Sequence, residues 1–260
     1  MIYDISAAKA MGFNMLRKHI KVEPLRWYYH CDRLGMLVWQ DMPNGGGSYN
    51  AAVVSAPLVT GVHIKDGAYA LFARGDKEAR AEFRAELAEM VRHLYNCPCV
   101  SMWVIFNEGW GQFDAADMLE LVRSIDKTRP IDHASGWHDQ GVGQVKSEHV
   151  YFRRYSFKPD KKGRAVLLSE FGGYGHRVLG HCFGNKDFGY KKFEMPAQLE
   201  IAIEELYQGQ IGPARLQGLS AAVYTQLADV EDELNGLLTY DRKVAKIAPE
   251  VVRKLINVGI

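Results

Sequence analysis

Residues 99–113, "CVSMWVIFNEGWGQF", set an apolar run against a glutamate. Val100 to Phe106 has the makings of a buried strand. The run then ends on Asn107-Glu108, and a carboxylate beside a core is costly unless it is paired or used. Residues 165–173, "AVLLSEFGG", repeat the design and deliver Glu170.

Outward from these two stretches, helical and strand-like segments alternate. "DISAAKAM" reads as a short helix with Asp4 as N-cap, and "GFNMLRKH" as a strand. "PLRWYYHCDRLG" reads as a helix from Pro24 stopped by Gly35, and "MLVWQDMP" as a strand. The connection from Asn44 to about Asp76 shows no periodicity and is too long for a mere link, so it is expected to cover something. In "KEARAEFRAELAEMVRHLYN", Phe83, Leu87, Met90, Val91 and Leu94 share one helical face, opposite the charges. After strand "VSMWVIF" come helix "DAADMLELVRSID", opened by Asp114, then strand "PIDHAS" and a strand around "EHVYF". Strand "AVLLSEF", an irregular Gly-rich loop and helix "PAQLEIAIEELY" follow. Strand "LSAAVYTQL" and helix "APEVVRKLI" close the chain.

Short apolar strands separated by amphipathic helices predict parallel β/α units, because parallel neighbours need a crossover and the helices bury both faces. No repeat, low-complexity tract or linker interrupts them, so residues 1–260 read as a single α/β domain. The net charge of +1 provides no electrostatic case for nucleic acid or an anionic membrane. No apolar stretch approaches the ~20 residues of a membrane helix. Cys97 and Cys99 lie one residue apart, without the spacing or second pair of a metal site. With Cys31 and Cys182 they are expected in or near the core. "MIYDISAAKAMGFN" shows no signal-peptide pattern.

Each apolar strand is followed by polar residues. Arg17 and His19 end the first and Asp41 the second; Asn107 and Glu108 end the third. His133 and Ser135 end the fourth, Tyr151 follows the fifth, Glu170 ends the sixth, and Tyr224, Gln226 and Asp229 the last. In a β/α barrel such ends converge on one mouth, which places Glu108 and Glu170 across a cleft. Two carboxylates there are the minimum equipment for glycosidic cleavage: one protonates the leaving oxygen, the other attacks the anomeric carbon or activates water. A lone glutamate would read as an ion pair or a helix cap; two at strand ends make that reading weaker.

Four blocks carry a resemblance. "GFNMLRKHIKVEPLRWYYHCDRLGMLVWQDMPN", "WVIFNEGWGQF", "LSEFGG" and "VYTQLADVEDELNGLLTYDR" together resemble the catalytic (β/α)8 TIM barrel of glycoside hydrolase family 2, in the family's order. The family contains β-galactosidases, β-glucuronidases and β-mannosidases. The resemblance implies retaining hydrolysis of a β-glycoside through a covalent glycosyl-enzyme, with Glu108 as acid/base and Glu170 as nucleophile. It implies that Asn107 bonds the sugar 2-hydroxyl, and that Glu108 starts protonated and Glu170 ionised. Retention calls for carboxylates ~5–5.5 Å apart. Arg17 matches an arginine near the nucleophile, where a salt bridge would keep Glu170 ionised. His19, Trp137, His138, Trp110 and Tyr224 are candidates to line the sugar site. Tyr151 and Tyr155 are both candidates for the tyrosine that contacts the nucleophile. No metal or other cofactor is implied; "DMPNGGG" lacks the ligands by which some β-galactosidases hold magnesium, and no glucuronidase-type Asn-x-Lys signature is evident. The sugar and the compartment stay open.

Numbering the strands by the resemblance makes "GFNMLRKH" the second, so the barrel is expected to lack its first strand. The β-sandwich domains that precede the barrel in family members are also expected to be absent. The alternative function is a shortened remnant that binds carbohydrate without hydrolysing it.

Overall fold

The computed structural model describes residues 1–257. In chain order the elements are α1 (Ile2–Ala10), β1 (Met15–Lys18), α2 (Leu25–Leu34), β2 (Leu37–Asp41), α3 (Ala51–Val54) and α4 (Ala56–Thr60). Next come α5 (Lys77–Leu94), β3 (Val100–Val104), α6 (Ala115–Ile125), β4 (Ile131–Asp132), β5 (Val145–Val150) and β6 (Ala165–Gly172). Then follow β7 (Tyr174–His176), β8 (Lys191–Phe193), α7 (Pro196–Leu206), a π-helical turn (Tyr207–Ile211), α8 (Gly212–Leu216), β9 (Ala221–Thr225) and α9 (Pro249–Ile256). The seven strands expected from the sequence are β1 to β6 and β9. Among the described residues no helix is long and apolar enough to cross a membrane.

The chain forms two compact units, one of Met1–Asn14, Val150–Lys158 and Glu170–Ile260, the other of Met15–His149 and Pro159–Ser169. The unit containing Met15–His149 is built on a sheet in the order β1-β2-β3-β4, all parallel. Arg17 pairs with Trp39, Asp41 with Val104 and Val104 with Asp132, so the polar strand ends stand side by side. In the same unit Ala165 N–H donates to Gln144 O, 2.9 Å, where β6 begins beside β5. Helix α5 buries Phe83, Leu87, Met90, Val91 and Leu94, the face that the spacing singled out. Phe83 stacks on Phe106, 5.1 Å between centroids, with Phe113 edge-on to both. Cys31, Cys97 and Cys99 are buried thiols as expected, and Cys182 is half-buried.

The connection from Asn44 to Asp76 is an ordered strap within this unit. Asn44 Oδ1 accepts from Asn107 N–H, 2.8 Å. Arg74 Nε–H donates to Gly111 O, 2.9 Å. Asp66 Oδ2 accepts from Ala115 N–H at 3.0 Å and from Gln112 Nε2 at 3.1 Å. The strap therefore grips the segment that follows Glu108. Helix α6 shows why its start was only partly legible: Asp114 is the N-cap residue, but its side chain makes no cap bond. Its carboxylate instead accepts from the Tyr69 hydroxyl, and the distant Asp66 satisfies the first helical N–H. Asp66→Ala strands two donors in a buried place, so we expect about 2–3 kcal/mol of lost stability, read as a lower urea midpoint with unchanged slope.

In the other unit α1 packs on α9, with Ile5, Ala8 and Met11 fully buried. Met1, not Asp4, is the N-cap of α1. Asp4 lies in the first turn and accepts instead from Arg242, 3.1 Å. The last part of β6 runs beside β9, Gly173 N–H donating to Thr225 O at 2.9 Å. The Gly-rich stretch after β6, expected to be irregular, carries the parallel pair β7 and β8. Helix α7 ends at Leu206 and continues through the π-helical turn into α8.

Candidate active site

Glu108 follows β3 in the unit containing Met15–His149 and is buried, as is Asn107. The loop leaves the strand by a parallel bridge of Asn107 to Ser135, and Glu108 N–H donates to Ser135 O, 3.0 Å. Glu108 Oε1 lies 2.9 Å from His149 Nδ1. Asn107 is held on three sides. Its Oδ1 accepts from Arg17 Nη2, 2.8 Å, its Nδ2 lies 3.1 Å from His19 Nε2, and its backbone is held by Asn44. Since Oδ1 is taken by a cation, the amide cannot flip without losing a charge-assisted bond.

Arg17 is the hub of this cluster. Its Nε and Nη2 donate to the two oxygens of Asp41 at 3.0 and 2.8 Å, a buried bidentate pair. Nη1 donates to Ser169 O, 3.2 Å, and lies 3.5 Å from His149 Nε2. Trp110 lies edge-on to His19 and nearly parallel to Tyr49 of the strap, with centroids 6.2 and 6.5 Å apart. Trp137 is half-buried, tilted 6.4 Å from His149, and its indole N–H has no acceptor among the described residues. His138, a candidate for the sugar site, serves the strap. Its Nε2 donates to Val53 O, 2.8 Å, and its Nδ1 accepts from Ile64 N–H, 3.1 Å.

That arrangement requires the neutral ring. Burial lowers the His138 pKa, only partly opposed by the bond to Val53 O. A lowered folded-state value means that the unfolded chain takes up the proton first as pH falls. The stabilisation is complete above about pH 6.5, the unfolded value, and is lost below it, at most about 1.4 kcal/mol per pH unit. Hydrogen exchange at Ile64 N–H is therefore expected to lose protection between about pH 7 and 5, and to lose this pH dependence in His138→Gln.

Glu170 belongs to the other unit and is also buried. The Tyr151 hydroxyl donates to its Oε2 and lies 3.0 Å from Thr225 Oγ1. Desolvation of the phenol, reinforced by the Glu170 charge, raises the Tyr151 pKa well above the ordinary tyrosine value. The hydroxyl thus stays a donor. Tyr151 stacks on Tyr190 at 3.7 Å, 5° from parallel. Gly173 makes this possible: its φ is +66°, and a Cβ there would collide with the Tyr190 ring and crowd Tyr151. The second glycine of "SEFGG" is a packing requirement of the tyrosine pair.

Of the two tyrosine candidates, Tyr151 reaches Glu170, whereas Tyr155 is buried with its N–H on Gln210 Oε1, 2.7 Å. Tyr224, expected to line the sugar site, lies in the packing layer. Its ring is edge-on to Phe171, 5.7 Å, and burial pushes its pKa far up. Strand alternation turns the next residue, Thr225, toward Tyr151 instead. Sequence reasoning missed Thr225, His149, Ser135 as a His149 partner, and Asp41 as the Arg17 anchor. A usable signal existed for His149: in "EHVY" it stands two residues before Tyr151, the same-face spacing of a strand.

Residues 1–170 match glycosyl hydrolases family 2, TIM barrel domain. The chain belongs to this family, and its fold class is the α/β TIM barrel. It is 26% identical over 140 residues to a β-galactosidase of Klebsiella pneumoniae, covering 54% of this chain and 12% of that protein. It is 25% identical over 210 residues to a β-galactosidase of Leuconostoc mesenteroides subsp. mesenteroides, covering 74% and 18%. Similar solved structures include a family 2 β-galacturonidase of Eisenbergiella tayi bound to galacturonate, with TM-score 0.67 and 18% identity over 98% of this chain and 46% of that one. A β-D-glucuronidase of Dictyoglomus thermophilum has TM-score 0.66 and 16% identity, over 99% and 47%. At those identities the structures speak for the fold alone. The chain spans under a fifth of these curated relatives and under half of these solved structures.

Proposed function

We propose that residues 1–260 serve as one catalytic domain that hydrolyses β-glycosides with retention. Glu170 attacks the anomeric carbon to give a covalent glycosyl-enzyme, while Glu108 protonates the leaving oxygen and then deprotonates the incoming water. The observation that carries this reading is the setting of Glu170: a buried carboxylate at the end of β6 whose Oε2 accepts from Tyr151. Such a bond holds the carboxylate at one angle. Asn107, oriented by Arg17, supplies an amide for the sugar 2-hydroxyl, a bond that strengthens in the transition state. His19, Trp110 and Trp137 line the sugar site in this reading.

The test is mass spectrometry of the intact protein after incubation with activated 2-deoxy-2-fluoro β-glycosides of galactose, glucose, mannose and glucuronic acid. The 2-fluoro group slows release of the intermediate, so one adduct on Glu170 is expected and its mass names the sugar class. An adduct on another residue refutes the nucleophile assignment. A folded protein that takes up no label and cleaves no β-glycoside refutes the reading as a whole.

A further inference from the structure

The His149 side chain is fully buried, and its Nδ1 lies 2.9 Å from Glu108 Oε1. Its tautomer follows from its other side. Arg17 Nη1 lies 3.5 Å from Nε2, and a guanidinium has only donors to offer. Ser135 Oγ is 3.1 Å from the same nitrogen and 3.0 Å from Ser169 Oγ, and beside the donor-only guanidinium its rotatable hydroxyl turns its one proton to Nε2. Nε2 is therefore the acceptor, the proton sits on Nδ1, and Nδ1–H donates to Glu108 Oε1. The backbone is shaped for this ring: Gly136 has φ +82°, and a Cβ there would overlap the imidazole.

We propose that His149 is a positioning residue for Glu108, an inference that rests on Glu108 being the acid/base. With Nδ1–H bonded to Oε1, the transferable proton is confined to Oε2. As the C–O bond breaks, that proton moves to the leaving oxygen and Glu108 becomes a carboxylate. The Nδ1–H bond strengthens as this charge develops, because a carboxylate accepts more strongly than a neutral acid. The gain belongs to the transition state more than to the ground state, so it raises the rate. His149 keeps its own proton throughout. Arg17 and the Ser135 hydroxyl hold the ring in the donating tautomer.

The signature of such a role is its dependence on the leaving group. A poor leaving group needs the acid, whereas 2,4-dinitrophenolate departs without it. In His149→Ala, kcat/KM is expected to fall about 100-fold for phenyl and alkyl β-glycosides, and less than about 5-fold for the 2,4-dinitrophenyl glycoside. His149→Gln, whose amide N–H can donate to Oε1, is expected to recover about tenfold of the loss. Thermal unfolding of both variants shows whether they are folded. A folded His149→Ala protein that loses equal activity on every leaving group overturns the proposal, as does one that loses none. If Glu108→Gln lacks the leaving-group signature, the acid/base assignment itself fails, and the role of His149 fails with it.

Discussion

Replacing Glu170 by glycine is expected to lower kcat on β-glycosides by on the order of 10⁵-fold or more. In the proposed mechanism the covalent intermediate forms on Glu170. Sodium azide should restore turnover on an activated aryl glycoside, because the shortened side chain leaves room for a small anion at the α face of the anomeric carbon. The product should then be the α-glycosyl azide, inverted relative to the substrate. Proton NMR of the anomeric signal distinguishes it from the β-azide. A variant within tenfold of the wild type, or a β-azide product, would remove Glu170 as nucleophile. The loss should exceed that of Tyr151→Phe, which keeps the carboxylate and deletes only the hydroxyl that holds Oε2.

Glu108→Ala should behave in the opposite sense. Losing the acid is expected to reduce kcat/KM by about 10³-fold for a phenyl β-glycoside and far less for the 2,4-dinitrophenyl compound. Azide should accelerate the second substrate by attacking the glycosyl-enzyme from the face that Glu108 vacates, giving the β-glycosyl azide with retention. The azide products of the two variants thus have opposite anomeric configuration. An inverted product from the Glu108 variant would exchange the two roles; uniform losses across leaving groups would mean that Glu108 is not the acid. The wild-type protein should release the β-anomer first, before mutarotation.

Much of this was legible from periodicity. The helix over "KEARAEFRAELAEMVRHL" needed only the spacing of its apolar residues, and α5 buries that face. Glu108 and Glu170 stood out because carboxylates at the ends of apolar runs demand a reason, and Tyr151 because it follows an expected strand. Tyr224 and Thr225 show the limit. Both stand at the end of β9, and one residue of register decides which enters the core and which reaches Tyr151. The N-cap of α6 shows another: Asp114 is in the expected place, but the acceptor for the first N–H comes from Asp66, 49 residues earlier.

The amino-acid sequence alone determined the alternation of strands and helices, seven of the strands found among the described residues, and which two glutamates stand at the ends of apolar runs. These depend on local pattern, since burial repeats with a period of two or 3.6 along the chain. Tertiary structure alone decided what each glutamate touches. His149 reaches Glu108 across 41 residues and Tyr151 reaches Glu170 across 19. Hydrogen bonds have ranges of about 3 Å and strict angles. Partners are therefore set by where packed strands bring side chains, which no stretch of sequence encodes by itself.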